Sequence, residues 1–344
     1  MKKSLLLYCL AMIVLFPAQD ADARSRYSDR HDVRRFVREF AAENKLNRAE
    51  LLGLFRRAKH QSSVLEAISR PAERKLTWAE YRAIFVTDTR ITAGVKFWQE
   101  HEQILLDAEQ KFGVPAEIIV AIIGVETRYG KTTGRYPVFD SLVTLGFDGK
   151  TRRQFFRSEL KSFLLLARDE QFDPMAAKGS YAGAMGIPQF ISSSYRMYAV
   201  DFDGDGRRDL FDSAADAIGS VANYFRRYGW QSGEVVVTPV DVITEEAKTL
   251  AVGKGRQGLK PDLTVAEFIA AGVKPGIDLA ADKKAVLLEL EQPTGMEYWL
   301  GLKNFYVITR YNKSSMYSMA VYQLAQQIKE RYKTPVVPVM VDSQ

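Results

Sequence analysis

The chain has 344 residues, of which 47% are hydrophobic and 26% are charged, a balance typical of a folded globular protein with a sizeable core. It carries 48 Lys and Arg against 42 Asp and Glu, and the resulting net charge of +6 fits an anionic partner without identifying one. No basic run is interleaved with aromatic residues, which argues against nucleic-acid binding, and a single Cys excludes a disulfide framework.

Residues 1–23 have the pattern of an export signal peptide. Two lysines precede an apolar stretch, residues 5–16, that is too short to span a bilayer comfortably. Residues 21–23, Ala-Asp-Ala, have the small-x-small pattern of a cleavage site, which predicts a mature chain that begins at Arg24 and has no transmembrane anchor. Cys9 lies inside the apolar stretch and follows a Tyr rather than a small residue, so we do not expect a lipid anchor there.

Residues 24–112 are predicted to form an N-terminal helical domain, because apolar residues recur there at helical spacing. Arg70-Pro71 is expected to break the helices, and Thr77 to Glu80 has the spacing of a capping box that begins another. Three aromatic residues fit either the helical core or an aromatic groove, and their helical spacing favours the core: Trp78, Tyr81 and Trp98.

A strongly apolar helix is predicted to begin near Pro115 and to stop at Gly130. Glu126 lies four residues after Ile122 and therefore on the same face as the apolar residues. A carboxyl group against an apolar wall loses solvation, so its pKa rises and it can hold a proton near neutral pH, as a general acid must. The same spacing allows a Glu that reaches water or pairs with Arg128.

The stretch Gly179–Phe190 contains three Gly and Pro188, so it cannot form a regular helix. Its glycines allow positive φ and a close approach of a bound molecule to the main chain, although a purely structural turn has the same composition. Ser180 and Gln189 place two hydrogen-bonding side chains in this stretch.

Residues 201–212 match an EF-hand calcium loop at positions 1, 3, 5 and 6, with Gly206 at the sharp turn. The predicted ligands are the carboxylates of Asp201, Asp203 and Asp205 and the backbone carbonyl of Arg207. Asp212 would close the loop, with a side chain one methylene shorter than the usual Glu. The alternative is an acidic surface turn without metal. A loop without a paired second hand predicts a structural calcium ion rather than a sensor.

Residues 233–313 are predicted to form a small β-rich lobe, and residues 314–344 a C-terminal helix and tail. Strands are predicted at 234–243, where β-branched residues are concentrated, and at 285–290 and 298–300, and a short helix is predicted at 264–271.

Four segments together resemble the lytic transglycosylases of the membrane-bound type B family, which are bacterial enzymes that cleave peptidoglycan glycan strands: Ile122–Gly130, Gly179–Phe190, Ala217–Phe225 and Asn304–Asn312. The resemblance covers roughly Phe36 to Tyr332. It implies a mainly α (α+β) fold, with a lysozyme-like helical catalytic core over residues 113–232 beside the N-terminal helical domain and the β-rich lobe. Together with the signal peptide, it implies a soluble periplasmic variant.

The resemblance also implies roles for individual residues. Glu126 corresponds to the catalytic acid. Four residues correspond to substrate-binding positions: Ser180, Gln189, Tyr311 and Asn312. Asp216 corresponds to the residue that closes an elongated calcium loop in the family. For Asn312, the start of the following helix is a structural alternative. The implied partner is the peptidoglycan glycan strand, with structural Ca²⁺ and no organic cofactor, and further cell-wall enzyme partners are not predicted.

In this family, one carboxyl group performs both chemical steps. It protonates O4 of N-acetylglucosamine and then accepts the proton of the muramyl C6 hydroxyl, which closes onto C1 as a 1,6-anhydro ring. The alternative enzyme is a muramidase that hydrolyses the same bond with a second carboxylate, for which Asp140, Asp148 and Asp169 are formal candidates. A non-catalytic, calcium-bound peptidoglycan-binding module is the alternative outside the enzymes.

Overall fold

A computed structural model of the chain describes residues 26–69, 76–252 and 258–334. The predicted signal peptide, the Arg70-Pro71 helix break and the tail from Pro335 lie outside the described residues. The chain divides into two compact units, with the boundary between Ala58 and Lys59. Of the helices that the structure describes, none is long and apolar enough to cross a membrane.

The first unit consists of a 3-10 helix, Tyr27–Asp29, followed by α1 (His31–Asn44) and α2 (Arg48–Arg57). Asn47 caps α2, because its side chain accepts hydrogen bonds from the first amide groups of that helix. The apolar faces of the two helices form the core of this unit: Val33, Phe36, Val37, Phe40, Leu51 and Phe55.

The second unit is mainly helical. Its helices are, in chain order, α3 (Ser62–Ser69), α4 (Trp78–Phe85), α5 (Asp88–Glu100), α6 (Glu102–Phe112), α7 (Ala116–Thr127), α8 (Val138–Phe147), α9 (Arg153–Asp169), α10 (Ser192–Tyr198), α11 (Ala214–Arg227), α12 (Glu245–Lys248), α13 (Val265–Ala270), α14 (Lys303–Tyr311) and α15 (Ser315–Lys333). The capping box that the sequence predicts at the start of α4 is confirmed, with Thr77 and Glu80 as its two members. Trp78 and Trp98 are buried, as expected of core residues, whereas Tyr81 is half-buried.

Helix α7 packs against α5, α6, α11 and α15. These neighbours enclose it so fully that every residue of α7 except Glu126 is buried. The helix begins after Pro115, as predicted, but the predicted stop at Gly130 is wrong. It ends at Thr127, because Arg128 and Tyr129 both take left-handed backbone conformations, with φ of 52° and 61°.

The strands form two antiparallel sheets, a two-stranded one in the order β1-β2 and a five-stranded one in the order β4-β6-β7-β3-β5. Their bounds are β1 (Tyr136–Pro137), β2 (Lys178–Gly179), β3 (Val237–Ile243), β4 (Leu263–Thr264), β5 (Val273–Pro275), β6 (Lys284–Gln292) and β7 (Gly295–Gly301). The three strands and the short helix predicted for this region are confirmed. The division of the chain into five domains and segments remains a prediction.

The larger sheet has a hydrophobic core on each face. Alternate residues of β6 point to opposite faces, and both sets are buried. Val286, Leu288 and Leu290 join a core with Trp78 of α4, Phe305 of α14 and Met319 of α15. Ala285 and Leu287 join a second core with Phe268 of α13. The sheet therefore supports α14 and α15, which contribute side chains to the site around Glu126.

Candidate active site

Glu126 lies at the end of α7 as the one residue of that helix that is not buried. Desolvation by its surroundings raises the pKa of Glu126 to about 7, and a hydrogen bond from Tyr317 acts in the opposite direction. Arg128, the ion-pair partner that the sequence allowed, is exposed and forms no ion pair within the described part of the chain. A carboxyl group with this pKa is partly protonated near neutral pH and can donate or accept a proton.

Tyr317 is the group that touches Glu126 most directly, since its hydroxyl donates a hydrogen bond to Glu126 Oε1 at 2.5 Å. The phenol is buried in the first turn of α15, whose N-cap is Ser314. Burial first, and then the charge of Glu126, raise the pKa of Tyr317 well above its ordinary value. Tyr317 is therefore a neutral donor, and sequence reasoning missed it because its spacing is that of a core residue.

Tyr311 connects the Gly-rich stretch to α14, because its hydroxyl donates to the Pro188 carbonyl at 2.6 Å. The ring packs against Phe190, Tyr224 and Phe225, with centroid separations of 5.8, 4.9 and 5.8 Å. Burial and then the charge of Glu126 raise the pKa of Tyr311. Tyr311 therefore holds the backbone of the Gly-rich stretch, and its role toward substrate stays a prediction.

The end of α7 is joined to the same Gly-rich stretch by Thr127, whose hydroxyl donates to the Ile187 carbonyl at 2.7 Å. Gly186 has a φ of +71°, and a Cβ there would lie 2.4 Å from the Leu210 carbonyl oxygen. Only glycine allows this approach without a shift of the backbone. The stretch is thus a rigid structural element as well as a surface beside the acid.

The other three residues predicted to bind substrate lie around this element. The Ser180 hydroxyl accepts a hydrogen bond from the Ala184 amide at 3.0 Å. Gln189 has a φ of 53°, and its Nε2 donates to two backbone carbonyls at 2.8 and 2.9 Å. Asn312 is exposed at the end of α14. No hydrogen bond joins these side chains to Glu126 in the described residues, and their roles stay predictions.

The three formal candidates for a second carboxylate are occupied elsewhere. Asp140 accepts hydrogen bonds from the Lys59 amide and Gln61, Asp148 contacts His60 Nδ1 at 2.9 Å, and Asp169 pairs with Arg168 at 2.7 Å. None of the three contributes to the pKa of Glu126. Of these four candidate carboxyl groups, Glu126 is therefore the one without an amide or cationic partner among the described residues.

The predicted calcium loop brings three of its carboxylates together. One oxygen from each of Asp201, Asp203 and Asp205 lies within 4.8 Å of the others. Gly206 has a φ of +90° with open space where a Cβ would be, which fits the sharp turn expected at this position. Hard carboxylate oxygens around one point are the donor set that Ca²⁺ prefers, so the residues present fit this ion.

Asp216 and Asp212 do not join this group of three. Asp216 is fully buried, and its carboxylate accepts hydrogen bonds from the amides of Phe202 and Asp209, both at 2.6 Å. Asp212 is exposed. Asp216 thus fixes the backbone of the loop, whereas the residue that closes the coordination sphere stays a prediction, as does the carbonyl of Arg207.

Comparison with known proteins connects this site to a family. The chain matches the family described as "Transglycosylase SLT domain" over residues 28–326. It is 42% identical to the membrane-bound lytic murein transglycosylase B of Escherichia coli (strain K12) over 311 residues, which are 88% of this chain and 84% of that protein.

Two solved structures show the same likeness. The catenated lytic transglycosylase SltB1 of Pseudomonas aeruginosa is 50% identical with a TM-score of 0.86, over 89% of this chain and 99% of that chain. Escherichia coli lytic transglycosylase Slt35, in complex with calcium, is 42% identical with a TM-score of 0.80, over 89% and 94%. The predicted mainly α fold with a lysozyme-like core is confirmed. The chain therefore belongs to the SLT family of lytic transglycosylases.

Proposed function

We propose that this lytic transglycosylase cleaves the β-1,4 bond between N-acetylmuramic acid and N-acetylglucosamine in peptidoglycan, with Glu126 as its only catalytic carboxyl group. The environment of Glu126 is the observation that carries the proposal. Glu126 is the single residue of α7 left accessible, its pKa lies at about 7, and the other candidate carboxylates of the core bind other partners. One group can then act in both protonation states.

In the first step, protonated Glu126 donates its proton to the glycosidic oxygen, and the C1–O4 bond breaks as positive charge develops at C1. In the second step, the Glu126 carboxylate accepts the proton of the muramyl C6 hydroxyl, and O6 bonds to C1. The hydrogen bond from Tyr317 stabilises the carboxylate between the two steps. No water is consumed, and Glu126 ends protonated again.

Ser180, Gln189 and Asn312 are proposed to hold the sugar. Gln189 is supported most directly, because both bonds of its Nε2 go to the protein, so the Oε1 atom is left to accept a bond from a sugar hydroxyl or amide. Tyr311 is a positioning residue, since its hydroxyl is committed to Pro188. The signal-peptide pattern supports a periplasmic protein acting on glycan strands.

The pH dependence of cleavage tests the proposal. Because the free enzyme must carry a proton on Glu126, kcat/KM on purified glycan strands is expected to be highest below pH 7 and to fall as pH rises through the Glu126 pKa of about 7. The measurement is the initial rate of fragment release against pH, with circular dichroism as a control for unfolding. A rate that rises through this range, or stays flat across it, contradicts the proposal.

We also propose that Ca²⁺ binds the loop through Asp201, Asp203 and Asp205, where it stabilises the fold without taking part in the chemistry. The convergence of the three carboxylates and the calcium complex of Slt35 support this site. A ligand that binds only the native state stabilises it by about 2.7 kcal/mol at 100 times its dissociation constant.

The melting temperature of the protein, measured by calorimetry, is therefore expected to be higher in calcium than in chelator. The double variant Asp203→Asn/Asp205→Asn should lose this difference, whereas Asp278→Asn, which removes an exposed acid elsewhere, should keep it. Equal melting temperatures for the unaltered protein in the two buffers would mean that no calcium binds under these conditions.

A further inference from the structure

A cavity of about 330 Å³ is bounded by α4, the start of α5 and the turn that follows α7. Three of its lining side chains are cations, Arg90, Arg128 and Lys131. The remaining lining residues among the described part of the chain are apolar, Thr or Tyr, and none is acidic.

No acidic side chain of the described residues lines this cavity, and the Arg90 guanidinium lies over the Phe85 ring. Arg90 is only 9% exposed, and its Nη1 donates to the Ile84 carbonyl at 2.7 Å, while its buried Nε has no hydrogen-bond partner in the structure as described. Burial and then the charge of Arg128 lower the pKa of Arg90, so the two cations repel each other. An anion bound between them would relieve this repulsion.

No carboxylate of the described residues supplies that anion. Arg128 and Lys131 are exposed and form no ion pair within the residues that the structure describes. Asp88, the acid nearest to Arg90 along the chain, pairs instead with Arg331 at 2.7 Å. The cavity is therefore built from one buried and two accessible cations that face solvent.

The cavity is formed by the same elements that hold the catalytic acid. Arg128 follows Glu126 by two residues, and the Tyr129 hydroxyl donates to the Arg90 carbonyl at 2.8 Å. Ile84 shares α4 with Tyr81, whose pKa is raised by burial and then by the charge of Glu126. Arg128 thus connects the two places, since it lines the cavity and lies two residues after the acid at the end of α7.

We propose that this cavity binds a carboxylate of the peptide stem carried by N-acetylmuramic acid. This inference rests on the proposed function, which places a muramyl residue at Glu126. The stem carries free carboxylates, and three of its residues span up to about 10 Å from the sugar. A guanidinium pair and an ammonium group form charge-assisted hydrogen bonds with such a group.

The test removes the two accessible cations and compares two substrates. In Arg128→Asn/Lys131→Gln, Asn replaces Arg at a left-handed position that Asn tolerates well. The matched control Lys45→Asn/Lys96→Gln removes the same charge, also with one left-handed position, from residues that do not line the cavity. The substrates are glycan strands with their stem peptides and the same strands after amidase removes the peptides.

The cavity variant is expected to lose roughly tenfold in kcat/KM on peptide-bearing strands, with no change on stripped strands and no change for the control on either. An equal loss on both substrates, or no loss on either, overturns the proposal. Binding is measured separately in Glu126→Gln protein by calorimetry with N-acetylmuramyl-L-alanyl-D-glutamate and with its amidated counterpart.

Tighter binding of the acid than of the amide, lost in the cavity variant, supports the carboxylate site without any turnover. Equal binding of the two ligands overturns it. If the unaltered enzyme forms no anhydro product from either strand, the proposed function fails, and that result is distinct from a loss of acid-over-amide preference.

Discussion

Replacing Glu126 with Gln is expected to reduce cleavage of glycan strands by a factor on the order of 10³ or more. Gln has the shape of Glu but cannot donate a proton to the leaving oxygen or recover one from the C6 hydroxyl. Its amide oxygen still accepts the hydrogen bond from Tyr317, so the fold and glycan binding should be retained. The loss is therefore expected in kcat, with a dissociation constant close to that of the unaltered protein.

The measurement pairs turnover with thermal unfolding. Glu117→Gln is an informative contrast, because Glu117 lies on the same helix and its buried carboxylate pairs with the partly exposed Lys329 at 2.6 Å. That variant should lower the melting temperature with far less effect on kcat. A well-folded Glu126→Gln protein that retains substantial turnover would remove Glu126 from the mechanism.

Replacing Tyr317 with Phe is expected to have the second largest effect. Its hydrogen bond lowers the pKa of Glu126, so its removal should raise that pKa and move the high-pH fall in kcat/KM to higher pH. Because the carboxylate formed in the first step then lacks its donor, kcat should drop by about tenfold. The pH shift distinguishes positioning of the acid from a general loss of structure.

Tyr322→Phe serves as the matched control, because Tyr322 is half-buried on the same helix and no hydrogen bond of its hydroxyl is found among the described residues. It should leave both kcat and the pH profile unchanged. If Tyr317→Phe also leaves both unchanged, the contact with Glu126 has no part in the reaction.

Features that depend on nearby residues could be predicted from the sequence. Helix α7, the buried face behind Glu126 and the convergence of Asp201, Asp203 and Asp205 all follow from local spacing, and the structure contains them. The unbroken apolar run at residues 285–288 of β6 likewise fits a strand that is buried on both faces.

Features that join distant segments could not be predicted from the sequence. The bond from Tyr317 to Glu126 spans 191 residues, and that from Tyr311 to Pro188 spans 123, so neither leaves a local pattern. The end of α7 also involves a distant contact. Gly130 carries the usual signal for a stop, but the helix ends at Thr127, where Arg128 and Tyr129 take left-handed conformations and the Tyr129 hydroxyl contacts Arg90.

The most direct test of the single-carboxyl mechanism is digestion of purified glycan strands in heavy-oxygen water, followed by mass spectrometry of the fragments. Attack by the muramyl C6 hydroxyl predicts 1,6-anhydro-N-acetylmuramic acid ends that carry no label and are lighter by about one water than hydrolysis products. Fragments that instead end in labelled reducing sugars would show that water is the nucleophile and would contradict the account.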